Sequence, residues 1–287
     1  MKTISLLSPG DMGSNIAKFL IDGGYEIISP LDERSKSTKD RANKMGIKNC
    51  HTLENAIDNS QLLISILVPS EALGLSEKLA RLDSKTKNSI LFADLNAIAP
   101  NTTIKMENNL KNTKITFVDG GIIGGPPKDT NFPRVYISGS NSYKLAELNN
   151  KGMKIIDMGG NIGDASAIKM AYASITKGYS SLLLGAMFLA IKSNNYDLLI
   201  KEIESSQPNV FKDLNNLNSI PSKAHRWIGE MYEISKTYEG YELSGSFHEA
   251  AATIYEEVSN SLLGKNRPSN NQINFKGKEF FEKLMRG

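Results

Sequence analysis

Short apolar runs of strand length alternate with amphipathic helical stretches through the first half of the chain. No other feature restricts the fold as much. Thr3–Leu7, Glu26–Leu31, Leu62–Val68, Ser89–Asp94 and Ile115–Asp119 are the apolar runs. Met12–Asp22, Ser35–Met45, Ser70–Leu82 and Pro100–Leu110, lying between them, carry helical patterns. Strands separated by helices imply right-handed crossovers and a mainly parallel sheet covered on both faces. Arg134–Ser138 and Lys154–Asp157 read as two further strands around a helix at Asn141–Asn150.

The pattern changes at Gly159-Gly160-Asn161-Ile162-Gly163, beyond which no strand is evident. Asp164 or Ser166 can cap a helix running to Lys192, roughly 40 Å at 1.5 Å per residue. Its apolar residues lie on most sides, which predicts burial. Helical segments follow at Tyr196–Glu204, Ser222–Tyr238, Ser246–Leu263 and Lys276–Met285. The expected architecture is an α/β Rossmann domain over residues 1–163, followed by an all-α domain over 164–287, joined by the long interdomain helix.

Composition narrows the function classes. With 34 basic against 31 acidic side chains the net charge is only +3, and no Lys/Arg run appears, which argues against a nucleic-acid partner. Cys50 is the single cysteine, so neither an internal disulfide nor a paired-cysteine metal motif is available. Met1–Leu7 is too short for a signal-peptide core, and no uninterrupted apolar stretch approaches the ~18–20 residues that span a bilayer. The expectation is a cytoplasmic protein without a membrane partner.

The first strand runs through Ser8-Pro9-Gly10-Asp11-Met12-Gly13 into a helix, the context that gives a glycine motif meaning. Gly10 lets backbone approach a dinucleotide pyrophosphate, Gly13 lets the helix pack on the strand, and the helix N-terminus offers N–H donors. Ser8 replaces the usual first glycine. The second strand leads to Leu31-Asp32-Glu33-Arg34-Ser35-Lys36-Ser37-Thr38. Asp32 or Glu33 could accept from a ribose 2′-hydroxyl, as for NAD. Arg34, Ser35, Lys36 and Thr38 could instead hold a 2′-phosphate, and these favour NADP with NAD left open. Leu67, Val68 and Pro69 end another strand and are expected to border the cofactor.

Several segments resemble the β-hydroxyacid dehydrogenase family, the group of 3-hydroxyisobutyrate and 6-phosphogluconate dehydrogenases. Ser8–Gly13 looks like their opening turn, and Asp94-Leu95-Asn96-Ala97-Ile98-Ala99-Pro100 like their Asp-x-Ser-Thr-x-x-Pro segment. Phe117–Pro126 sits where they carry Asp-Ala-Pro-Val-Ser-Gly-Gly, and Gly160–Gly163 followed by Lys169 is similar to their catalytic stretch. The resemblance implies an NAD(P)-dependent dehydrogenase in which Lys169 is the general acid/base. A lysine, whose reference pKa is about 10.4, must be lowered to act as base; the helix dipole and apolar neighbours are expected to do this. A small anionic substrate in an interdomain cleft and a homodimer are implied as well.

Two departures alter the expected substrate pocket. Ile123 stands at the family's substrate-binding serine, and Ala173 at the asparagine one turn after the lysine. Lys169–Gly178, His225–Met231 and Gly245–Ala252 look instead like a little-characterised branch whose helical C-terminal region is phosphogluconate-dehydrogenase-like. Thr176 and Lys177 share a helix face with Lys169 and could hold the substrate anion in compensation. Asn96, Gly124, Gly125 and His248 complete the expected substrate contacts, Asn96 also reaching toward the nicotinamide ribose. A reductase of another carbonyl or an imine, or a dinucleotide-binding protein without turnover, are the alternatives.

Overall fold

The computed structural model describes residues 1–266 and 273–285, in two compact units, Met1–Tyr172 and Ala173–Gly287. The first contains β1 (Thr3–Leu6), α1 (Asp11–Asp22), β2 (Glu26–Ser29), α2 (Lys36–Lys44), β3 (Lys48–Asn49) and α3 (Leu53–Asp58). It continues with β4 (Leu62–Ser65), α4 (Pro69–Leu82), β5 (Ile90–Asp94), α5 (Pro100–Leu110), β6 (Ile115–Ile123), β7 (Arg134–Ser138) and β8 (Lys154–Asp157). The helix α6 (Asp164–Lys192) begins in this unit, and the compact units divide within its early turns, not at its start.

The strands form one sheet in the order β3-β2-β1-β4-β5-β6-β7-β8. Neighbours are parallel except β6 and β7. Strand side chains alternate between faces, and both faces here are covered. Ile4, Leu62, Ile64, Leu91 and Ala93 enter one apolar cluster, while Leu63, Ile90 and Phe92 enter the other. That explains why the sequence shows continuous apolar runs instead of alternation. Since β2 lies on one side of β1 and β4 on the other, the crevice beyond β1 is the switch point where open α/β sheets bind ligands.

Three local outcomes differ from expectation. β6 does not stop at Asp119 but continues through Gly120-Gly121 to Ile123, and β7 returns beside it antiparallel. The helix expected at Asn141–Asn150 is a 3-10 helix over Ser142–Leu148. The brief β3 and α3 carry too few residues to show periodicity, although Thr52 caps α3 by accepting from the Asn55 N–H.

The second unit holds the rest of α6 with α7 (Tyr196–Ser206), α8 (Pro208–Leu214), α9 (Ala224–Gly240), α10 (Ser246–Asn260), α11 (Leu262–Asn266) and α12 (Gly277–Met285). Its interior includes Met187, Met231, Ile234, Ala252, Tyr255, Val258 and Phe280. Gly245 packs the start of α10 on α9: a Cβ there would lie 2.8 Å from the Ser235 carbonyl oxygen. Contrary to expectation, α6 is not buried all round. Ile175, Leu182 and Leu189 are 72%, 56% and 69% exposed. By length and composition α6 could cross a membrane, and half of its most apolar window is buried within the fold.

Candidate cofactor site and active site

The turn between β1 and α1 is shaped by contacts at every carbonyl. The Gly10 N–H donates to Ser8 O at 2.8 Å. Arg34 Nη2 donates to Leu7 O at 3.0 Å and Arg41 Nη1 to Pro9 O at 3.2 Å. Gly13 has no room for a side chain, since a Cβ would meet Ser8 O at 2.9 Å. At Gly10 the reason for glycine is different: φ is −69°, and a Cβ would touch nothing within 4 Å. Open space above Gly10 and an α1 N-terminus with no side-chain cap make a cradle that fits a pyrophosphate. Ser8, Gly10, Asp11, Met12 and Gly13, the expected cofactor contacts, make up this turn and the start of α1.

Beyond β2, Ser35 Oγ lies 3.0 Å from both Ser37 Oγ and Thr38 Oγ1. Ser35 also caps α2, accepting from the Thr38 N–H, and Lys36 beside it is exposed. Asp32 is exposed and already hydrogen-bonded. Asn49 Nδ2 donates to its Oδ1 at 2.8 Å, and His51 Nδ1 is 3.1 Å from both carboxylate oxygens. The Asn49 hydrogen bond holds the Asp32 carboxyl below its ordinary value, with His51 adding to the effect.

Leu67, Val68 and Pro69 lead from β4 into α4, with Val68 exposed. Asn96, expected to touch ribose or substrate, is only 2% exposed. Its Oδ1 accepts from the Leu67 N–H, and its Nδ2 donates to Ser65 Oγ and Asp94 Oδ1. Both amide hydrogens are thereby used, so Asn96 shapes the Leu67 loop instead of meeting a ligand.

Asp94, at the end of β5, and Asp119, midway along β6, are register partners, and both are fully buried. Burial, with the neighbouring Asp119 adding to it, pushes the Asp94 carboxyl up to about 8. Burial raises Asp119 too. Asp119 accepts from four donors: Ser138 Oγ at 3.0 Å, Gly163 N at 2.9 Å, Ser166 N at 3.1 Å and Ser166 Oγ at 2.6 Å. These four donors offset part of the effect of burial on Asp119. Sequence reasoning quoted both residues without assigning either a role.

Asp119 therefore anchors the first turn of α6, with Ala165 N donating to Ser138 Oγ at 3.0 Å. One turn on, Lys169 sits against Gly121 of β6. A Cβ on Gly121 would lie 2.6 Å from Lys169 Cβ and 2.9 Å from Ala165 O. The register Leu6–Ile64, Ser65–Asp94, Asp94–Asp119 carries this contact past the carboxyl edge of the sheet, the same edge as the β1 turn. Gly124, with φ +123°, and Gly125 follow β6 and are exposed, whereas Ile123 is buried in the fold.

The remaining expected contacts lie in the helical unit. Lys177 Nζ is 2.6 Å from Glu230 Oε2, in a pair largely shielded from solvent, and 5.5 Å from the Trp227 ring centroid. Its charge is already matched, so it does not present a ready anion site; Thr176 beside it is exposed. His248 is likewise no open contact: it is buried, with Nε2 2.8 Å from Ser174 Oγ, which lies 2.9 Å from Tyr238 OH. Burial lowers its pKa and favours the neutral ring. Arg41, Asn49, His51, Asp94 and Asp119 are the residues that sequence reasoning missed. Asp94 and Asp119 stood within the quoted family-like segments, and Arg41 within the expected helix Ser35–Met45.

This first unit is a nicotinamide-dinucleotide-binding domain. Residues 3–149 match the family model of the NAD binding domain of 6-phosphogluconate dehydrogenase, and residues 190–258 match a domain of unknown function, DUF1932. The chain belongs to the β-hydroxyacid dehydrogenase family, in a little-characterised branch that joins this domain to DUF1932. An uncharacterised 28.5 kDa protein of Methanothermus fervidus is 26% identical over 257 residues, covering 89% of this chain and 98% of the relative. The conserved protein MTH1747, of unknown function and described as structurally similar to 3-hydroxyacid dehydrogenases, aligns with TM-score 0.66 and 25% identity over 93% and 100% of the two chains. The 3-hydroxyisobutyrate dehydrogenase of Mycobacterium tuberculosis, solved with L-serine, shares the fold: TM-score 0.68, 16% identity, 90% and 94% coverage.

Proposed function

We propose that the chain is an NADP-dependent oxidoreductase that interconverts a small β-hydroxy acid and the corresponding carbonyl acid, with Lys169 as general acid/base. The observation that supports this most is the seat of Lys169 on Gly121, held by the Asp119 anchor beyond the sheet edge that carries the dinucleotide turn. When bound, the nicotinamide supplies the hydride donor or acceptor. In oxidation the Lys169 amine takes the hydroxyl proton as the carbonyl forms; in reduction its ammonium returns one. The exposed backbone at Gly124 and Gly125 is the group of this chain best suited to hold the substrate carboxylate.

A second reading, reduction of another carbonyl or an imine, is favoured by Ile123 and Ala173 standing where the family has serine and asparagine. NADPH consumption against a panel of aldehyde acids, keto acids and imines distinguishes the two. The primary reading expects turnover with the acids, and it fails if only imines react. No turnover with any member, alongside tight dinucleotide binding, supports a redox-responsive binding protein instead. We further propose a cytoplasmic homodimer, with no nucleic-acid or membrane partner. The exposed Ile175, Leu182 and Leu189 of α6, with Phe247 beside them, support the dimer.

A further inference from the structure

We infer that two devices outside the phosphate turn select a dinucleotide carrying a 2′-phosphate: a second guanidinium, Arg41, and a latch of Asn49 and His51 that withholds Asp32 from a ribose hydroxyl. The inference rests on the dinucleotide reading above and deepens it. In folds of this kind, an acidic residue after the second strand accepts from the ribose 2′-hydroxyl. Asp32 has the position and the charge for that task, but its oxygens already accept elsewhere. Asn49 is oriented by its own carbonyl, since Oδ1 accepts from the Leu31 N–H at 3.1 Å and the His51 N–H at 2.8 Å. The amide cannot turn over without losing both bonds, so its NH2 end must face Asp32. His51 reaches the same carboxylate from a left-handed backbone, φ +70°, which a non-glycine residue adopts only at a cost. A strained histidine and a fixed asparagine thus both serve to hold one exposed carboxylate.

The positive side of the subsite is duplicated. Arg34 approaches from the loop after β2 and Arg41 from within α2, each donating to a carbonyl of the turn, Leu7 O and Pro9 O. A guanidinium carries five N–H donors in a planar fork, so one bond to the turn fixes its position and leaves others to pair with phosphate oxygens. The hydroxyls of Ser35, Ser37 and Thr38 cluster at the start of the same helix, α2. A 2′-phosphate suits this set of donors; a bare 2′-hydroxyl, with its natural acceptor engaged, does not.

Calorimetric titration of the full chain with NADPH and NADH tests the inference without any substrate, with thermal melting checking that each variant is folded. The wild type should bind NADPH at least about tenfold more tightly than NADH. Arg41→Ala should weaken NADPH by about tenfold and shift NADH by less than about twofold, with Arg41→Lys recovering part of the loss. Asn49→Ala combined with His51→Gly should release Asp32 and tighten NADH about threefold or more. Equal loss of both cofactors in Arg41→Ala would make the arginine a mere anchor of the turn and overturn its selective role. Unchanged NADH affinity in the double variant would overturn the latch. Wild-type protein binding neither cofactor would instead sink the dinucleotide reading itself.

Discussion

Lys169 could be picked out of the sequence by its distance from Gly160–Gly163, but not what holds it in place. Its supports are a carboxylate 50 positions earlier, Asp119, and a glycine, Gly121, whose function is to be small. Such pairings are non-local, and no periodicity encodes them. Replacing Lys169 by alanine should reduce turnover by about 10²–10⁴-fold while NADPH affinity, measured by titration, stays within about twofold. The buried Asp94 gives a pH prediction. Its carboxyl is raised from 3.8 to about 8 on folding, so between those values the folded chain retains a proton that the unfolded chain releases. The native state binds more protons there, and stability must fall as pH rises through that window. Asp94→Asn removes this slope. Urea unfolding should show the variant gaining on the wild type by at most about 1.4 kcal/mol per pH unit between pH 5 and 8; a constant difference would mean that Asp94 is ionised in the fold. The same burial explains why the interior position of Asn96 was not legible: an asparagine after a strand reads equally as a ligand contact or as part of a buried network.

The strands and helices of the dinucleotide-binding unit were mostly legible because each stands on local features: an apolar run, a proline at the first helical turn, a serine cap. β6 was truncated in the reading because Gly120-Gly121 breaks the apolar pattern, yet those residues continue the strand so that α6 can lie against it. Gly121→Ala probes this contact. Its Cβ would enter space held by Lys169 and the Ala165 carbonyl, so α6 must move away from β6. Thermal or urea unfolding should register a loss of about 1–3 kcal/mol, and turnover should fall with it. Gly74→Ala, on α4, is the control, because a Cβ there meets nothing within 4 Å. In the helical unit, Lys177 illustrates the converse difficulty. Its spacing from Lys169 pointed to a shared role, while its partner Glu230 lies on α9, too far along the sequence for any helical rule to connect them.

For the whole molecule, the exposed apolar side chains of α6 belong to a helix that was expected to be hidden. A homodimer would remove them from water, and light scattering on the purified chain should give about twice the 31.5 kDa of one copy. Leu182→Glu with Leu189→Glu should shift that mass toward one copy without lowering the melting temperature by more than a few degrees; an unchanged mass would exclude this face. Lastly, the chain has a single tryptophan, Trp227, which lies edge-on to Tyr255 at 5.3 Å between ring centroids and close to the Lys177 ammonium. Indole emission from this chain is therefore a signal from the helical half alone. Nicotinamide emission would come from the other half, so the melting of one and the loading of the other can be followed in a single cuvette at separate wavelengths.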